Sequence, residues 1–422
     1  MIKVLKFGGA SVKDSKAIAN IPTILQMYSD YKIVVIVSAI GKTTNALEHI
    51  LHCWQSGNTT DLNESISALK KTHTDIAYDL FENDDEVMLK INSYFDELTK
   101  ITAQNYEGDF SANYSKIVAY GEYLSTYIVS KYLNKVGFNN ELFDAKKLII
   151  TNEGYVDASV DWDTSQKNIL KAFDNINNID TKIIITQGFI SGNMHNEQTT
   201  LGREGSDYSA AIIANILDAA YVTVWKDVAG IMTADPDLIP TAQLIEHLSY
   251  KEAIELSYYG ASIIHPKTIK PLQNKNIPLY VKCFYSPKDA GTLINNETTY
   301  DNNQSSIIIK RNQVLFSINA NDFSFIVEDN LRYIFQVFAE LKIKVNLLQM
   351  SALTCSVCFD EEPEKIEKLI KLLSSDYNVK YNTKLSLITI RYFTEEIISS
   401  LLKDKNVLLE QRSRVTAQFV ID

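Results

Sequence analysis

Two short segments place positive charge beside glycine, a combination that proteins use to hold phosphate. The first is an apolar strand, Ile2–Phe7, that brings Lys6 to a turn containing Gly8 and Gly9. Glycine lets the backbone turn tightly and approach a ligand closely, and bare N–H groups there can cradle an anion. A helix is predicted to open after Ser11, and its N-terminal end favours phosphate. The segment fits either a phosphate site or an ordinary strand–turn–helix, and its partners along the chain must decide.

The second segment reads Gly202-Arg203-Glu204-Gly205-Ser206-Asp207 and precedes a predicted helix. Ser206 or Asp207 is expected to cap that helix. Arg203 offers a planar fork suited to a carboxylate or a phosphate. A capped helix with an exposed arginine would explain the same residues, but the first segment favours a ligand site.

A third segment follows the apolar strand Tyr221–Trp225 and begins with Lys226 and Asp227. It continues through Met232 to Asp235. Ligands of open α/β sheets sit at the carboxyl ends of strands, where this segment starts. Asp227 and Asp235 could be turn residues only, but this position favours a ligand-binding loop.

The elements that must position these segments alternate along residues 1–285. Short all-apolar runs are typical of strands buried on both faces, and here they are Ile33–Val37, Ile183–Ile185, Tyr221–Trp225 and Ile277–Val281. The stretches of helical character are Ser15–Tyr28, Asn113–Lys135, Asp207–Leu217 and Tyr250–Tyr258. The alternation predicts an α/β domain with a mainly parallel sheet. Between residues of about 45 and 110, apolar side chains at helical spacing predict a helical insertion.

The rhythm changes after residues 286–306, which contain Gly291 and an asparagine-rich run and which we predict to be a linker. Beyond it, strands and helices follow a β-α-β-β order that begins twice, which fits two small ferredoxin-like sandwiches. We assign the first to residues 307–380 and the second to residues 381–422. The second is expected to be truncated, without its last helix and strand.

Composition narrows the class of protein. The chain has 422 residues, 45% of them apolar and 22% charged, which is ordinary for a globular protein. Its net charge of −11 argues against a nucleic-acid partner. No apolar run approaches the roughly 18 residues that span a bilayer, and the N-terminus lacks the features of a signal peptide. We therefore expect no membrane association and a cytoplasmic location. Cys355 and Cys358 lie in a predicted strand at a spacing that suits neither a zinc site nor a redox pair.

A series of motifs resembles those of aspartokinases, members of the amino acid kinase superfamily. They are Lys6-Phe-Gly8-Gly9-Ala-Ser11, Gly121-Glu122-Tyr-Leu-Ser-Thr126, Gly202-Arg203-Glu-Gly205-Ser206-Asp207, Asp227-Val-Ala-Gly230 and Gly260-Ala-Ser262-Ile-Ile-His265-Pro266. The resemblance covers essentially the whole chain, because aspartokinases end in paired ACT domains of the ferredoxin-like kind. It implies a three-layer α/β fold, with helices on both faces of a mainly parallel sheet, followed by two ACT domains.

The resemblance implies ATP-dependent phosphorylation of the side-chain carboxylate of L-aspartate to 4-phospho-L-aspartate, the first step toward lysine, threonine and methionine. Mg²⁺ is expected to arrive with ATP, held largely by phosphate oxygens, so no resident metal site is expected. The attacking carboxylate is already ionised, so the site needs positive charge and N–H donors rather than a strong base. Lys6, with the Gly8 and Gly9 amides, is expected to stabilise the transferring phosphoryl group, and Asp207 to orient Lys6.

The resemblance also implies how the substrates are held. Arg203 would clamp the α-carboxylate of aspartate, and Glu122 would accept from its ammonium group. The residues that would complete this pocket are Ser38, Thr44 and Ser206. The residues expected to line the nucleotide, besides Lys6, Gly8 and Gly9, are Lys226, Asp227, Met232, Asp235 and Ser262.

The chain departs from the family pattern at several positions. Many relatives have glycine where Glu204 stands, which matters little if that side chain faces outward. Many have tyrosine in place of Met232. Many have a lysine counted among the nucleotide contacts where Ser262 stands, so a positive charge is missing that Lys226 or Lys267 could supply.

The regulatory half departs further. Lysine-sensing ACT domains usually show a Ser-Val-Asp run and a later Ser-Glu, whereas this chain has Lys344-Val345-Asn346 and Ser351-Ala352. Two anionic groups that could meet an amino-acid ammonium are absent, so loss of feedback and a different effector are both open. A homodimer is expected, because ACT units commonly pair across subunits and the truncated unit leaves a sheet edge to cover.

Two other functions compete with an aspartate kinase. One is another amino acid kinase, acting on acetylglutamate, glutamate or carbamate; the Glu122 motif, the motif ending in His265-Pro266 and the ACT tail argue against it. The other is a catalytically inactive amino-acid sensor on the same scaffold. Intact Lys6, Arg203 and Asp207 weigh against the sensor. Ser262 weighs weakly for it.

Overall fold

The computed structural model describes residues 1–82, 84–177, 182–261, 264–302, 304–322 and 324–422. Ser262 therefore lies outside the described residues. The chain divides into two compact units, one formed by residues 1–231, 244–254 and 263–298 and the other by residues 232–243, 255–262 and 299–422. Within the described ranges, no helix combines the length and the apolar character needed to cross a bilayer.

The elements up to residue 298 alternate as the sequence predicts. The strands are β1 (Ile2–Phe7), β2 (Lys32–Val37), β3 (Asn140–Phe143), β4 (Ile150–Thr151), β5 (Ile183–Gln187), β6 (Ile190–Asn193), β7 (Gln198–Thr200), β8 (Tyr221–Lys226), β9 (His247–Ser249), β10 (Leu279–Cys283) and β11 (Thr292–Asn295). The helices are α1 (Ser15–Gln26), α2 (Thr43–Ser56), α3 (Thr59–Phe81), α4 (Asp85–Thr102), α5 (Phe110–Lys135), α6 (Ala145–Leu148), α7 (Trp162–Asn177), α8 (Gly205–Ile216), α9 (Tyr250–Tyr259) and α10 (Pro266–Asn274).

Within the described residues, eight of these strands form one sheet in the order β3-β5-β2-β1-β8-β10-β11-β9. Every pairing is parallel except that of β10 with β11, which confirms the prediction of a mainly parallel sheet. β1 lies between β2 and β8, with Lys6 opposite Ile36 on one side and Val224 on the other. The carboxyl ends of these three neighbouring strands therefore meet at one edge of the sheet.

Helices α2 to α5 cover the range in which the sequence predicts a helical insertion. Their apolar stripes join the core cluster of β1 and β2, with Leu47, Ile91 and Phe95 almost fully buried. α5 approaches the sheet closely at Gly121, where a Cβ would lie 2.9 Å from the Ala39 side chain. This close approach places Glu122, the next residue, beside the end of β2.

Two local predictions are wrong. Helix α8 begins at Gly205, and its N-cap is Glu204 in the left-handed conformation without a side-chain cap, so Ser206 and Asp207 lie in the first turn. Residues 286–306 are more than a linker, because they contain β11, which pairs antiparallel with β10. A four-residue strand between polar runs is too short to show periodicity.

Beyond residue 298, the strands are β12 (Ser306–Ala320), β13 (Val345–Met350), β14 (Thr354–Asp360), β15 (Tyr377–Arg391), β16 (Val407–Arg412) and β17 (Thr416–Ile421). The helices are α11 (Glu328–Glu340), α12 (Pro363–Leu373) and α13 (Glu395–Leu401). The strands form an antiparallel sheet in the order β13-β14-β12-β15-β17-β16.

The long strands β12 and β15 each run through both four-stranded halves of this sheet. Residues 313–320 of β12 pair with β14 and with the first part of β15, whereas residues 306–310 pair with the last part of β15. β17 joins that last part on its other side. The strand that we expected the second ferredoxin-like unit to lack is therefore supplied from upstream by Ser306–Lys310.

Candidate active site

A cleft of about 690 Å³ opens at the carboxyl edge formed by β1, β2 and β8. It gathers residues that are more than 200 positions apart in the sequence. The predicted site residues that line it are Lys6, Gly9, Ser38, Thr44, Glu122, Arg203, Ser206, Asp207 and Lys226. The residues of the first two segments and the end of β8 thus share one cleft.

A buried ion pair lies at the end of β1. The Lys6 ammonium is 2.6 Å from Oδ1 of Asp207, and their side chains are only 9% and 3% exposed. The Lys226 ammonium lies 3.9 Å from the other oxygen of the same carboxylate. Asp207 in the first turn of α8 therefore holds two cations at the end of the central strands, where the α8 N-terminus also favours negative charge.

The backbone after Lys6 is only partly available to an anion. The Gly8 N–H donates to the Trp225 carbonyl at 3.3 Å, because the ladder between β1 and β8 extends one residue beyond the strand. The Gly8 amide thus has an acceptor within the protein, and its role toward phosphate stays a prediction. Gly9 opens a 3-10 turn, whose first N–H groups lack partners within the turn. The absence of a side chain at Gly8 leaves the Lys6 ammonium uncovered on that side, because a Cβ there would lie 3.4 Å from it.

Glu122 is a buried carboxyl group on the wall of the cleft. Its Oε1 accepts the Ala39 N–H at 3.3 Å, and its Oε2 has no hydrogen-bond partner among the described residues. Burial raises the pKa of Glu122 to about 8, against the opposing effects of the Ala39 N–H and the Lys6 charge. A buried carboxyl oxygen without a partner is costly, so the group is suited to a ligand that brings a hydrogen-bond donor.

The loop before α8 is packed tightly against its neighbours. A Cβ on Gly188 would lie 2.5 Å from the Ser206 Cβ, so only glycine permits this approach. Gly202 has a left-handed φ of +77° and lies against the side chain of Asp157. Arg203, next in the loop, is exposed at the cleft. The tightly packed loop thus places the Arg203 side chain at the cleft.

Ser38 and Thr44 border the cleft from the loop that joins β2 to α2. The Ser38 N–H donates to the Phe7 carbonyl at 3.1 Å, which ties the end of β2 to the end of β1. Both side chains are half-buried, so their hydroxyl groups are placed to contact a small ligand.

The other described residues predicted to line the nucleotide belong to different parts of the chain. Asp227 is exposed after β8, and its charge, with a larger effect from Tyr285, raises the pKa of Lys13. Met232 and Asp235 belong to the second compact unit. There the Asp235 carboxylate accepts the Asp237 N–H at 3.0 Å, which is a turn-forming role. The assignment of Asp227, Met232 and Asp235 to the nucleotide stays a prediction.

Several residues of the cleft were not predicted, among them Tyr114, Asp157 and Phe189. Tyr114 donates its hydroxyl to Glu48 at 2.9 Å. It precedes Gly121 by seven residues, so helical periodicity could have placed it on the same face of α5. Asp157 and Phe189 lie in loops, and no local pattern indicates their position.

The chain is similar to known proteins over most of its length. Residues 1–283 match the amino acid kinase family. Over 397 residues the chain is 30% identical to a bifunctional aspartokinase/homoserine dehydrogenase of Buchnera aphidicola, covering 90% of this chain and 47% of that protein. It is 32% identical to the chloroplastic aspartokinase 1 of Arabidopsis thaliana, covering 86% of this chain and 64% of that protein. The chain thus spans between about half and two thirds of the length of these relatives.

The fold has a close structural counterpart. Escherichia coli aspartokinase III, solved in complex with aspartate and ADP, superposes with a TM-score of 0.82 at 25% identity, covering 100% of this chain and 96% of that one. The same enzyme in complex with lysine and aspartate also gives a TM-score of 0.82. The fold predicted from the motifs, including the C-terminal antiparallel region, is confirmed.

Proposed function

This chain belongs to the amino acid kinase family, and from that premise we propose that it acts as an aspartate kinase. It would transfer the γ-phosphoryl group of ATP to the side-chain carboxylate of L-aspartate. The observation that carries the proposal is the cleft that combines the Lys6–Asp207 pair with the buried, half-satisfied carboxyl group of Glu122. Relatives that are aspartokinases, one of them solved with aspartate and ADP, support it.

The cationic side of the cleft suits a reaction between two anions. The attacking carboxylate is ionised at neutral pH without help from a base. The barrier then comes from charge repulsion and from the charge of the transferring group, which a positioned cation lowers. Lys6 is such a cation, because Asp207 holds its ammonium at 2.6 Å and burial limits competition from water. Lys226, on the other oxygen of Asp207, provides a second positive charge.

The other side of the cleft suits an amino acid. An α-ammonium group can donate to the unpartnered Oε2 of Glu122, which would restore the charged carboxylate. Arg203 can bind the α-carboxylate through its fork. Hydroxyl groups of Ser38 and Thr44 lie along the same cleft. ATP would enter as its magnesium complex, with the metal held largely by phosphate oxygens.

The second unit bears on regulation, because Asn346 already has partners. Its amide oxygen accepts the Lys310 ammonium at 2.8 Å, and its amide nitrogen donates to Gln313 at 2.8 Å and to Asp360 at 3.0 Å. An amide that is satisfied on both sides has little capacity to bind an added ammonium group. We propose that free lysine does not act through Asn346 in this chain.

A homodimer remains our proposal for the assembly. Apolar side chains near the β13 edge are exposed, including Phe325, Val327, Met350 and Leu353. The Ile326 N–H donates to the Ala352 carbonyl at 3.1 Å, so the two segments that carry them lie side by side. Burial of this patch in a second copy would remove apolar surface from water. Light scattering that gives only a monomer at micromolar concentration would contradict the proposal.

The activity can be tested directly with purified protein. ADP release is measured with ATP, Mg²⁺ and L-aspartate, and in parallel with acetylglutamate, glutamate or carbamate. We expect release with aspartate, and trapping with hydroxylamine should identify an acyl phosphate as product. Release with another acceptor alone would assign a different amino acid kinase. Binding of aspartate without any release would favour a catalytically inactive sensor.

A further inference from the structure

Helices α8 and α10 lie side by side and are tied at both ends by acidic residues with left-handed backbones. At their N-terminal ends, Glu204 has φ 53°, and its Oε2 accepts the His265 N–H at 2.7 Å. At their C-terminal ends, Asp218 has φ 47°, and its carboxylate binds the Lys275 ammonium at 2.6 Å. The contact between Glu204 and His265 borders the cleft. The contact between Asp218 and Lys275 lies beside Ile2, at the opposite end of β1.

The Glu204 carboxylate completes the first turn of α10. His265 is the N-cap of this helix, and its Nδ1 accepts the Lys267 N–H at 3.2 Å. Pro266 has no N–H, and the first turn contains no acidic residue. In a capping box, a glutamate in the helix's own first turn would accept the N–H of the N-cap residue. Here a glutamate from 61 positions earlier does so.

This contact shows that Glu204 does not simply face outward, as the sequence suggested it could. A left-handed backbone is disfavoured for a residue with a Cβ, so the bond to His265 offsets a local cost. The charged neighbours of the tie are Arg203, Lys267 and Asp157. Burial lowers the pKa of His265 most, and the positive charges of Lys267 and Arg203 lower it further. The negative charges of Glu204 and Asp157 raise it, but by less. A lowered pKa keeps the His265 ring neutral and able to accept the Lys267 N–H.

A second contact joins the same elements. Asp157 forms an ion pair with Lys267 in the first turn of α10. The loop residue Gly202 lies directly against the Asp157 side chain. The start of α10 is therefore linked to the loop that carries Arg203 through Glu204 directly and through Asp157 indirectly.

We infer that Glu204 is a positioning residue: its carboxylate clasps the first turn of α10 to the loop that carries Arg203, and so holds the wall of the cleft that binds the amino-acid substrate. The kinetic part of this inference rests on the proposed function. Glu204 itself contacts neither aspartate nor ATP. It acts through the backbone that sets the direction of Arg203.

The test compares E204A, E204Q and E204G with D218A as the matched control. D218A removes an acidic side chain from a left-handed residue that ties the same two helices, but away from the cleft. Hydrogen exchange of the backbone amides of His265, Lys267 and Thr268 reports the clasp without any need for activity. Because a charge-assisted bond is lost, we expect exchange about tenfold faster in E204A and E204G. We expect E204Q, which keeps an acceptor, to recover most of the protection, and D218A to match the wild type.

Kinetics separate positioning from general stability. In E204A and E204G, we expect the KM for aspartate to rise about fivefold or more, with a smaller change in kcat and in the KM for ATP. Unchanged exchange in E204A would overturn the clasp. Faster exchange with an unchanged KM for aspartate would overturn its link to the substrate. If the wild-type protein phosphorylates no acceptor, the proposed function fails, while the exchange result still decides whether the clasp exists.

Discussion

Binding of aspartate should release a proton from Glu122. In the ligand-free protein, burial raises the pKa of this carboxyl group to about 8. At pH 7, a group with that pKa is protonated in about 0.9 of the molecules. A substrate ammonium beside Oε2 favours the charged carboxylate and lowers the pKa below 7. Binding should therefore release close to one proton per site.

Isothermal titration calorimetry in phosphate and in Tris measures this release, because the two buffers differ in protonation enthalpy. The wild-type protein should give a buffer-dependent enthalpy that corresponds to about 0.9 protons released at pH 7. E122Q should abolish the dependence. E48Q is the matched control, since Glu48 is a carboxylate near the same cleft that accepts from Tyr114, and it should behave as the wild type. No release, or proton uptake, in the wild type would refute the reasoning.

The same group makes a signed prediction for stability. Its pKa in the folded protein lies above the usual value of about 4.5, so the folded state holds a proton that the unfolded chain gives up. This contribution is fully present below pH 4.5 and is lost as pH rises toward 8, with a slope of about 1.4 kcal/mol per pH unit. Denaturant unfolding at several pH values should show that the slope is absent in E122Q. A stability that rises over this range relative to E122Q would contradict the assignment.

Further predictions concern charge, packing and regulation. Lys6→Ala should reduce kcat by roughly a thousandfold, because it removes the cation at the transferring group. Arg203→Lys should raise the KM for aspartate about tenfold with little change in kcat, because lysine cannot bind a carboxylate through two parallel bonds. Gly188→Ala should lower the free energy of unfolding by roughly 1–3 kcal/mol in denaturant titrations, because its Cβ would lie 2.5 Å from the Ser206 Cβ. Asn346→Ala should leave the response of steady-state activity to millimolar lysine unchanged, because the Asn346 amide is already satisfied.

Each of these has a contrary outcome. Retained turnover in Lys6→Ala would remove that residue from the chemistry. A fall in kcat alone for Arg203→Lys would argue against a role in substrate binding. If Gly188→Ala unfolds with the wild-type free energy, the backbone around Ser206 can shift to accept the added Cβ at little cost. Inhibition by lysine that is lost in Asn346→Ala would place an effector at that amide.

The fold was predictable from the sequence where the hydrophobic patterns were long. All-apolar runs such as Ile33–Val37 lie in buried strands, and helical spacing placed α5 within three residues of its observed start. Short strands were not predicted, because a strand of four residues such as Thr292–Asn295 has no measurable hydrophobic period. The upstream strand Ser306–Lys310 was missed because its partner is Arg391 and the residues before it, far along the chain.

The candidate site was partly predictable for a similar reason. Glycine-rich turns beside Lys6 and Arg203 indicate ligand contacts locally, and both residues line the observed cleft. The role of the Gly8 amide depends on its bond to Trp225, which only the strand pairing reveals. The contact between Glu204 and His265 likewise arises from the packing of two helices. Hydrogen bonds between residues so far apart in the chain cannot be predicted from local composition.

The most direct test of the account is the acceptor dependence of phosphoryl transfer. Purified protein is incubated with ATP and Mg²⁺, and ADP and acyl phosphate are followed with and without L-aspartate. We expect aspartate-dependent ADP release, with an equal amount of acyl phosphate trapped by hydroxylamine, and we expect both to be lost in Lys6→Ala. ADP release that is independent of aspartate, or no acyl phosphate, would contradict it.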